Sequence, residues 1–141
     1  MNKAIPIIGI ILFLLVIVYV AIALSGPDTT STNSSNIVWS TDLNSALQQA
    51  KTTNKMVFID FYADWCEYCR QMDQDTYTDP RVQERLAQSY IAVKIDTDKN
   101  PDLSAKYGII GLPTMVILDS NGQGIKRISG YQSADQLLSQ L

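Results

Sequence analysis

Residues 60–69 read DFYADWCEYC, and this stretch decides the fold of the chain. Its first residues complete an apolar run, MVFIDFY at residues 56–62, whose length and composition predict a strand buried on both faces. Its last four residues open a segment that is compatible with a helix to about Gln74. A strand that leads directly into a helix places Cys66 at the helix N-terminus, where free N–H groups and the helix dipole favour its thiolate.

Cys66 and Cys69 are the only cysteines of the chain. Cys69 follows one helical turn later on the same face, close enough for a disulfide. Because only a thiolate attacks, we expect an exposed Cys66 to be the nucleophile and Cys69 to resolve the mixed disulfide. Two alternatives remain at this point: a zinc site shared between two chains, and an inert disulfide, which stabilises weakly across so short a loop. We expect no metal and no cofactor.

Composition excludes several classes of protein. The chain has 141 residues, enough for one domain, with 11 basic and 14 acidic residues and a net charge of −3. No basic patch is present, so nucleic-acid binding is not expected. The absence of histidine excludes Ser-His-Asp catalysis and histidine-ligated zinc.

The N-terminal segment predicts a membrane anchor. Residues 4–24 carry no charge and are long enough to cross a bilayer as a helix. Lys3 precedes them, and the next basic residue is Lys51, which predicts a cytoplasmic N-terminus and an extracytoplasmic domain. A cleaved signal peptide is the alternative, with small residues at Ala21 and Ala23. The predicted organisation is an anchor over 1–24, a flexible linker over 25–36 with a glycosylation sequon at Asn33, and one domain over 37–141.

Local signals in the domain predict a mixed sheet with helices on both faces. Helix starts are expected at Thr41 or Asp42, at Asp79-Pro80, and at Ser133, where Gln136 completes a capping box. Strands are expected over residues 90–95 and 114–118, with a short helix over 103–107 between them. Asn121-Gly122 predicts a hairpin into a last strand over 124–128, and Val38-Trp39 predicts either a first strand or a lead-in.

DFYADWCEYC together with KYGIIGLPT at residues 106–114 resembles the thioredoxin superfamily and its W-C-x-x-C motif. YADWC, Asp79-Pro80-x-Val82 and GLPT are most similar to the C-terminal domain of the DsbD family of membrane thiol:disulfide interchange proteins. The resemblance covers residues 37–141. It implies the thioredoxin fold and a domain that reduces disulfides of partner proteins outside the cytoplasm.

The resemblance also implies roles for single residues. Cys66 matches the attacking cysteine, Cys69 the resolving one, and Trp65 a tryptophan beside the active site. Asp60 matches a buried aspartate that assists proton transfer to the resolving cysteine, and Lys94 matches a lysine near that aspartate. The sequence around Asp60 supports a functional role independently of the resemblance. A carboxyl inside an apolar strand should have a raised pKa, which is typical of functional sites. The alternatives are a core aromatic for Trp65 and solvated side chains for Asp60 and Lys94.

Two further positions complete the predicted site. Pro113 matches a cis-proline opposite the cysteines, with a trans proline at a strand start as the alternative. Leu112 matches the residue whose backbone pairs with an extended substrate segment.

Glu67-Tyr68 replaces the Gly-Pro of ordinary thioredoxins and is expected to tune the redox potential. The acidic residues nearby (Asp64, Asp73, Asp75 and Asp79, against Arg70) form either a solvated face or a field that opposes the thiolate.

The sequence therefore predicts a membrane-tethered, extracytoplasmic reductase of protein disulfides. Its substrates would be exported proteins with disulfides, and its electrons would come from a separate membrane thiol donor, since the predicted anchor contains no cysteine. A thiol oxidase or isomerase of the same fold is one alternative. A thioredoxin-fold binding module without catalysis is the other.

Overall fold

In the computed structural model of the protein, the described residues are 9, 11, 14–19 and 36–141. Residues 14–19 are helical. The predicted anchor over 1–24 and the predicted linker over 25–36 therefore lie almost entirely outside the described residues. Among those residues, no helix is long and apolar enough to span a bilayer.

Four strands form one mixed sheet in the order β2-β1-β3-β4. β1 pairs in parallel with β2, whereas β3 is antiparallel to both β1 and β4. The parallel pair requires a long crossover, which the helices after the cysteines provide. The strands are β1 (Met56–Tyr62), β2 (Tyr90–Asp96), β3 (Thr114–Leu118) and β4 (Gly124–Ser129).

The helices begin at the predicted caps. Asp42, Asp79 and Ser133 each accept a hydrogen bond from a backbone N–H of the first turn, and Gln136 completes the capping box. Asn54 ends the first helix in a left-handed conformation, with φ of 53°. The helices are α1 (Leu43–Thr53), α2 (Glu67–Gln71), α3 (Pro80–Ser89), α4 (Pro101–Lys106) and α5 (Ala134–Leu138).

One region differs from the sequence prediction, and in a second the structure decides between the two alternatives that the sequence left open. The helix after the cysteines ends as an α-helix at Gln71, and Met72–Thr76 forms a π-helical turn in which the Tyr77 N–H donates to the Met72 carbonyl at 2.9 Å. The wider turn keeps Met72, Thr76 and Tyr77 buried. Val38-Trp39 is a lead-in and not a strand, because only Ser40 forms a bridge, to Val93 in β2.

Hydrophobic cores lie on both faces of the sheet, as predicted. α1 packs against Val57, Ile59 and Phe61 of β1. These are every second residue of the strand, so their side chains point to the same face of the sheet. Phe58 points to the other face and packs among residues of the π-helical turn, α3 and α5. Asp60 lies two residues after Phe58, so its side chain points to the same face and its carboxyl enters the core on that second face.

Asp60 is the residue that the fold buries at a cost. It is only 2% exposed, which excludes the alternative of a solvated aspartate at a strand end. Removal from water raises the pKa of its carboxyl from 3.8 to about 7, although Lys94 acts in the opposite direction. The folded state therefore binds this proton more tightly than the unfolded chain does.

Asp60→Asn should accordingly stabilise the protein at high pH. The unfolding free energy of the wild type should fall as pH rises from about 4 to about 7 and stay level beyond that window. The advantage of the variant should grow from near zero to a few kcal/mol, by the order of magnitude of the pKa shift. Denaturant unfolding of the oxidised protein across this range measures it.

Asp75→Asn is the matched control, since Asp75 is an exposed carboxylate on the π-helical turn. It should follow the wild type at every pH. If Asp60→Asn also ran parallel to the wild type, Asp60 would not be a buried group with a raised pKa.

Candidate active site

Cys66 and Cys69 form a disulfide at the N-terminus of α2, with 5.3 Å between their Cα atoms. Cys66 is the N-cap residue, and its Sγ accepts a hydrogen bond from the Cys69 N–H at 3.1 Å. This is the position that the strand-to-helix junction predicts. A backbone N–H aimed at Sγ would also stabilise a thiolate there after reduction.

The prediction of an exposed Cys66 is wrong for this disulfide state. Cys66 is 5% exposed and Cys69 3% exposed. The two cysteines pack with Ala63, and the partly buried side chains of Tyr62 and Leu112 cover them. Sequence reasoning missed this cover because Leu112 comes from a loop more than 40 residues away.

The Leu112-Pro113 loop lies against the disulfide through Leu112. The peptide bond between them is cis, as the family resemblance implies, and Pro113 is buried. The Gly130 N–H donates to the Pro113 carbonyl at 2.8 Å, and the Thr114 hydroxyl donates to Gly111 at 2.7 Å. Within the described residues, no hydrogen bond uses the N–H or C=O of Leu112. Its backbone is thus free to pair with another chain.

A groove of about 540 Å³ lies beside this loop. Its lining combines apolar side chains with backbone from β3, β4 and the loop that precedes β3. The lining residues include Ile110, Leu112, Thr114, Arg127, Ser129 and Gly130. Its volume lies within the range of ligand-binding clefts in proteins.

Exposed apolar side chains also occur near the ends of the active-site segments, in the turn before α2, in α2 and in the loop before β3. Trp65 is 67% exposed, which excludes the core alternative, and its Nε1–H donates to Asp98 Oδ2 at 2.9 Å. Tyr68 is 61% exposed, with its ring 6.4 Å from that of Tyr131. Ile110 is fully exposed. The sequence contained no signal for Asp98 or Ile110, because their positions depend on the tertiary fold.

Lys94 lies beside Asp60, and this excludes the solvated alternative for the lysine. The parallel register of β1 and β2 pairs the two residues directly. Lys94 Nζ is 3.7 Å from Asp60 Oδ2 and also binds Asp73 Oδ1 from the π-helical turn. Three aromatic rings surround the same ammonium at 5.0 to 5.6 Å, those of Tyr62, Trp39 and Tyr77.

The pKa of the Asp60 carboxyl, about 7, is the net result of burial and of these neighbouring charges. Burial is the largest cause, Lys94 lowers the pKa, and Asp73 raises it again. Tyr77 shares this environment, and burial raises the pKa of its phenol well above 10, with Asp60 and Asp73 adding to the effect. Asp60 Oδ1 and Tyr77 Oη are both buried without a hydrogen-bond partner among the described residues. Sequence reasoning did not identify Tyr77.

Several of the acidic residues predicted to surround Cys66 form ion pairs with basic residues, which the sequence does not indicate. Glu67 and Tyr68 occupy the first turn of α2 and are exposed. Asp79 caps α3 and pairs with Arg81 at 2.8 Å, and Asp73 pairs with Lys94. Glu67 and Asp75 appear in no described ion pair, and of these two Glu67 is the one that directly follows Cys66 in the chain.

Comparison with known proteins identifies the family. A family model for the thioredoxin-like domain matches residues 43–141. The thiol:disulfide interchange protein DsbD of Haemophilus ducreyi is 34% identical over 131 residues, covering 75% of this chain and 23% of the relative. The DsbD of Tatumella citrea is 34% identical over 111 residues, covering 75% and 19%. The chain thus spans less than a quarter of the length of these relatives.

The fold comparison agrees. A thioredoxin from Thermus thermophilus superimposes with a TM-score of 0.68 at 24% identity, covering 74% of this chain and 84% of that one. The family and the Cys66–Cys69 pair together support thiol:disulfide oxidoreductase activity. With its matched region extending over most of the domain, this chain belongs to the family of thioredoxin-like domains.

Proposed function

We propose that this protein is a membrane-tethered thiol:disulfide oxidoreductase that reduces disulfides of exported proteins outside the cytoplasm. The observation that carries the proposal is the disulfide at the N-terminus of α2, packed against the cis Leu112-Pro113 loop. An inert disulfide needs neither a helix N-terminus nor an adjacent loop with a free backbone.

The reaction begins from the dithiol. The Cys66 thiolate attacks one sulfur of a substrate disulfide, the substrate S–S bond breaks, and one substrate thiolate leaves. Cys69 then loses its proton to Asp60, and the Cys69 thiolate attacks Cys66 Sγ. The mixed disulfide breaks, the second substrate thiolate leaves, and the Cys66–Cys69 disulfide remains. Two electrons have passed from the dithiol to the substrate.

Asp60 suits the role of proton acceptor because its pKa of about 7 lies near neutral pH. A carboxyl with an ordinary pKa near 4 would hold a proton from a thiol too weakly. Lys94, at 3.7 Å, keeps enough of the carboxylate form present for the proton to be accepted. We assign Asp60 as the proton acceptor and Lys94 as the residue that positions and polarises it.

Substrate binding falls to the surface around the disulfide. The free backbone of Leu112 pairs with an extended substrate segment, and the neighbouring groove receives its side chains. Trp65, Tyr68 and Ile110 add exposed apolar contacts that do not depend on one substrate sequence. Such a surface suits exported proteins of differing sequence.

Regeneration of the dithiol needs two electrons per turnover. Residues 4–24 would hold the domain at the membrane, within reach of a membrane thiol donor. The similar proteins of Haemophilus ducreyi and Tatumella citrea are named thiol:disulfide interchange proteins, which supports thiol–disulfide exchange at the cysteines. An oxidase or isomerase would use the same residues, and the redox potential distinguishes them from a reductase.

Cys69→Ser in the full chain tests the function. Without a resolving thiol, the mixed disulfide on Cys66 should persist, and exported proteins with disulfides should be captured in complexes that dithiothreitol releases. Non-reducing gels and mass spectrometry identify them. Cys66→Ser is the matched control and should capture none. Equal, empty results for both variants would favour a binding module whose cysteines only close a loop.

Glu67→Gln tests the direction of electron flow. Removal of the uncompensated charge should stabilise the Cys66 thiolate and hence the reduced form, which makes the pair more oxidising. The charge is exposed, so the shift should be at most a few tens of millivolts and should shrink at high salt. A glutathione redox titration at two ionic strengths measures it.

Glu84→Gln, an exposed substitution of the same kind on α3, should leave the potential unchanged. A shift of the Glu67 variant toward more reducing values, or one indifferent to salt, would show that Glu67 acts by packing or hydrogen bonding. The acidic surroundings of Cys66 would then give no reason to expect a reductase.

A further inference from the structure

Tyr77 is a buried phenol to which the reaction described above assigns no role. Its ring packs edge-on against Trp39 at 5.0 Å and Phe58 at 6.3 Å. The residue is 5% exposed, and its hydroxyl has no hydrogen-bond partner within the described residues. A buried hydroxyl without a partner is costly, and such groups in native proteins call for an explanation.

A second unpartnered atom belongs to the same core. Asp60 Oδ1 is also buried without a hydrogen-bond partner in the described part of the chain. The groups that face Asp60 are Lys94 from β2, Asp73 from the π-helical turn, and Tyr77 at the end of that turn. Lys94 lies against the other carboxyl oxygen, Oδ2, and is also bound to Asp73. Asp73 carries only acceptors, so Tyr77 is the donor that remains for Oδ1.

A second cavity, separate in its lining from the groove beside Leu112, reaches Tyr77 and Lys94. A cavity of about 330 Å³ is lined by Ile37, Trp39, Asp73, Tyr77, Gln83 and Lys94. None of these residues lines the groove beside Leu112. Polar side chains of Asp73, Gln83 and Lys94 contribute to its lining, and its volume is large enough for water that bridges polar groups.

We propose that Tyr77 is a positioning residue for the proton step, whose hydroxyl donates a hydrogen bond to Asp60 Oδ1, directly or through one water, when that carboxyl is ionised. The hydrogen bond stabilises the carboxylate that accepts the proton from Cys69. The inference rests on the proposed function of Asp60 and extends it to the residue that regulates it.

The proton balance is simple. The S–H bond of Cys69 breaks, an O–H bond forms on Asp60, and the electron pair left on sulfur attacks Cys66. Asp60 later returns the proton to water, for which the cavity beside Tyr77 and Lys94 provides the route. Tyr77 keeps its own proton throughout, because burial raises the pKa of its phenol well above 10.

Tyr77→Phe tests the proposal, with Tyr90→Phe as the matched control. Both rings pack edge-on against Phe58, at 6.3 and 6.1 Å, and both residues are 5% exposed, but only Tyr77 faces Asp60. The probe is the carboxyl carbon signal of Asp60 in the oxidised full chain, followed by NMR from pH 5 to 9. Its midpoint should move upward by about one pH unit in Tyr77→Phe, the size expected for a hydrogen bond to a charged group. In Tyr90→Phe it should stay at the wild-type value.

A kinetic readout accompanies the titration. The rate at which the protein reduces a peptide with one disulfide is measured as a function of pH. In Tyr77→Phe the midpoint on the acidic side of this profile should move upward by about one pH unit, so the rate below pH 7 should fall by up to about tenfold. In an Asp60→Asn background, Tyr77→Phe should have no further effect on the profile. An Asp60 midpoint that is the same in Tyr77→Phe and wild type would overturn the proposal.

The two levels of the account fail in different ways. If the chain reduces no disulfide, the proposed function fails, but the carboxyl titration still decides whether Tyr77 acts on Asp60. Loss of the fold is not expected from Tyr77→Phe, because the ring and its packing remain and only a buried hydroxyl is removed. Near-ultraviolet circular dichroism checks this. A purely structural role would change stability without moving the Asp60 midpoint.

Discussion

The burial of one carboxyl group in the central strand is the constraint on which the rest of the site depends. Asp60 lies in β1 between two paired strands and is 2% exposed. Because water cannot solvate its charge there, neighbouring groups have to stabilise the ionised form. β2 supplies Lys94 at the paired position, and three aromatic rings lie around its ammonium at 5.0 to 5.6 Å. A hydrophobic residue at position 60 would make a more stable core. The retained carboxyl therefore indicates a use, and a pKa of about 7 suits proton exchange with a thiol.

The same strand also links this buried group to the disulfide. β1 ends at Tyr62, which covers the cysteines, and α2 starts five residues later at Glu67 with Cys66 as its cap. The π-helical turn then continues from α2 and brings Asp73 to Lys94. Asp60, the cysteines and Asp73 thus lie on one continuous stretch of chain, to which β2 adds Lys94 and the loop before β3 adds Leu112. A change in the position of that stretch would affect both the cysteines and Asp60.

Local signals were sufficient to predict most of the fold. The apolar run of β1, the Asp79-Pro80 and Ser133 caps, and the Asn121-Gly122 turn act over a few residues, so the sequence displays them directly. The cysteine spacing and the apolar setting of Asp60 likewise indicated the core of the site. The π-helical turn was missed because its composition does not differ from that of an α-helix. Tyr77, Asp98 and the cover over Cys66 were missed because each depends on contacts between distant parts of the chain.

The decay of the mixed disulfide on Cys66 tests the central claim most directly. The full chain, reduced and then mixed with a peptide that contains one disulfide, should resolve the intermediate at a rate that rises with pH around the Asp60 pKa of about 7. In Asp60→Asn the resolution should be slower by at least about tenfold at neutral pH, since general base catalysis typically contributes more than that, and the rise near pH 7 should disappear. Asp75→Asn should behave as the wild type. Equal rates and equal pH dependence in the wild type and Asp60→Asn would contradict the account and reduce Asp60 to a structural residue.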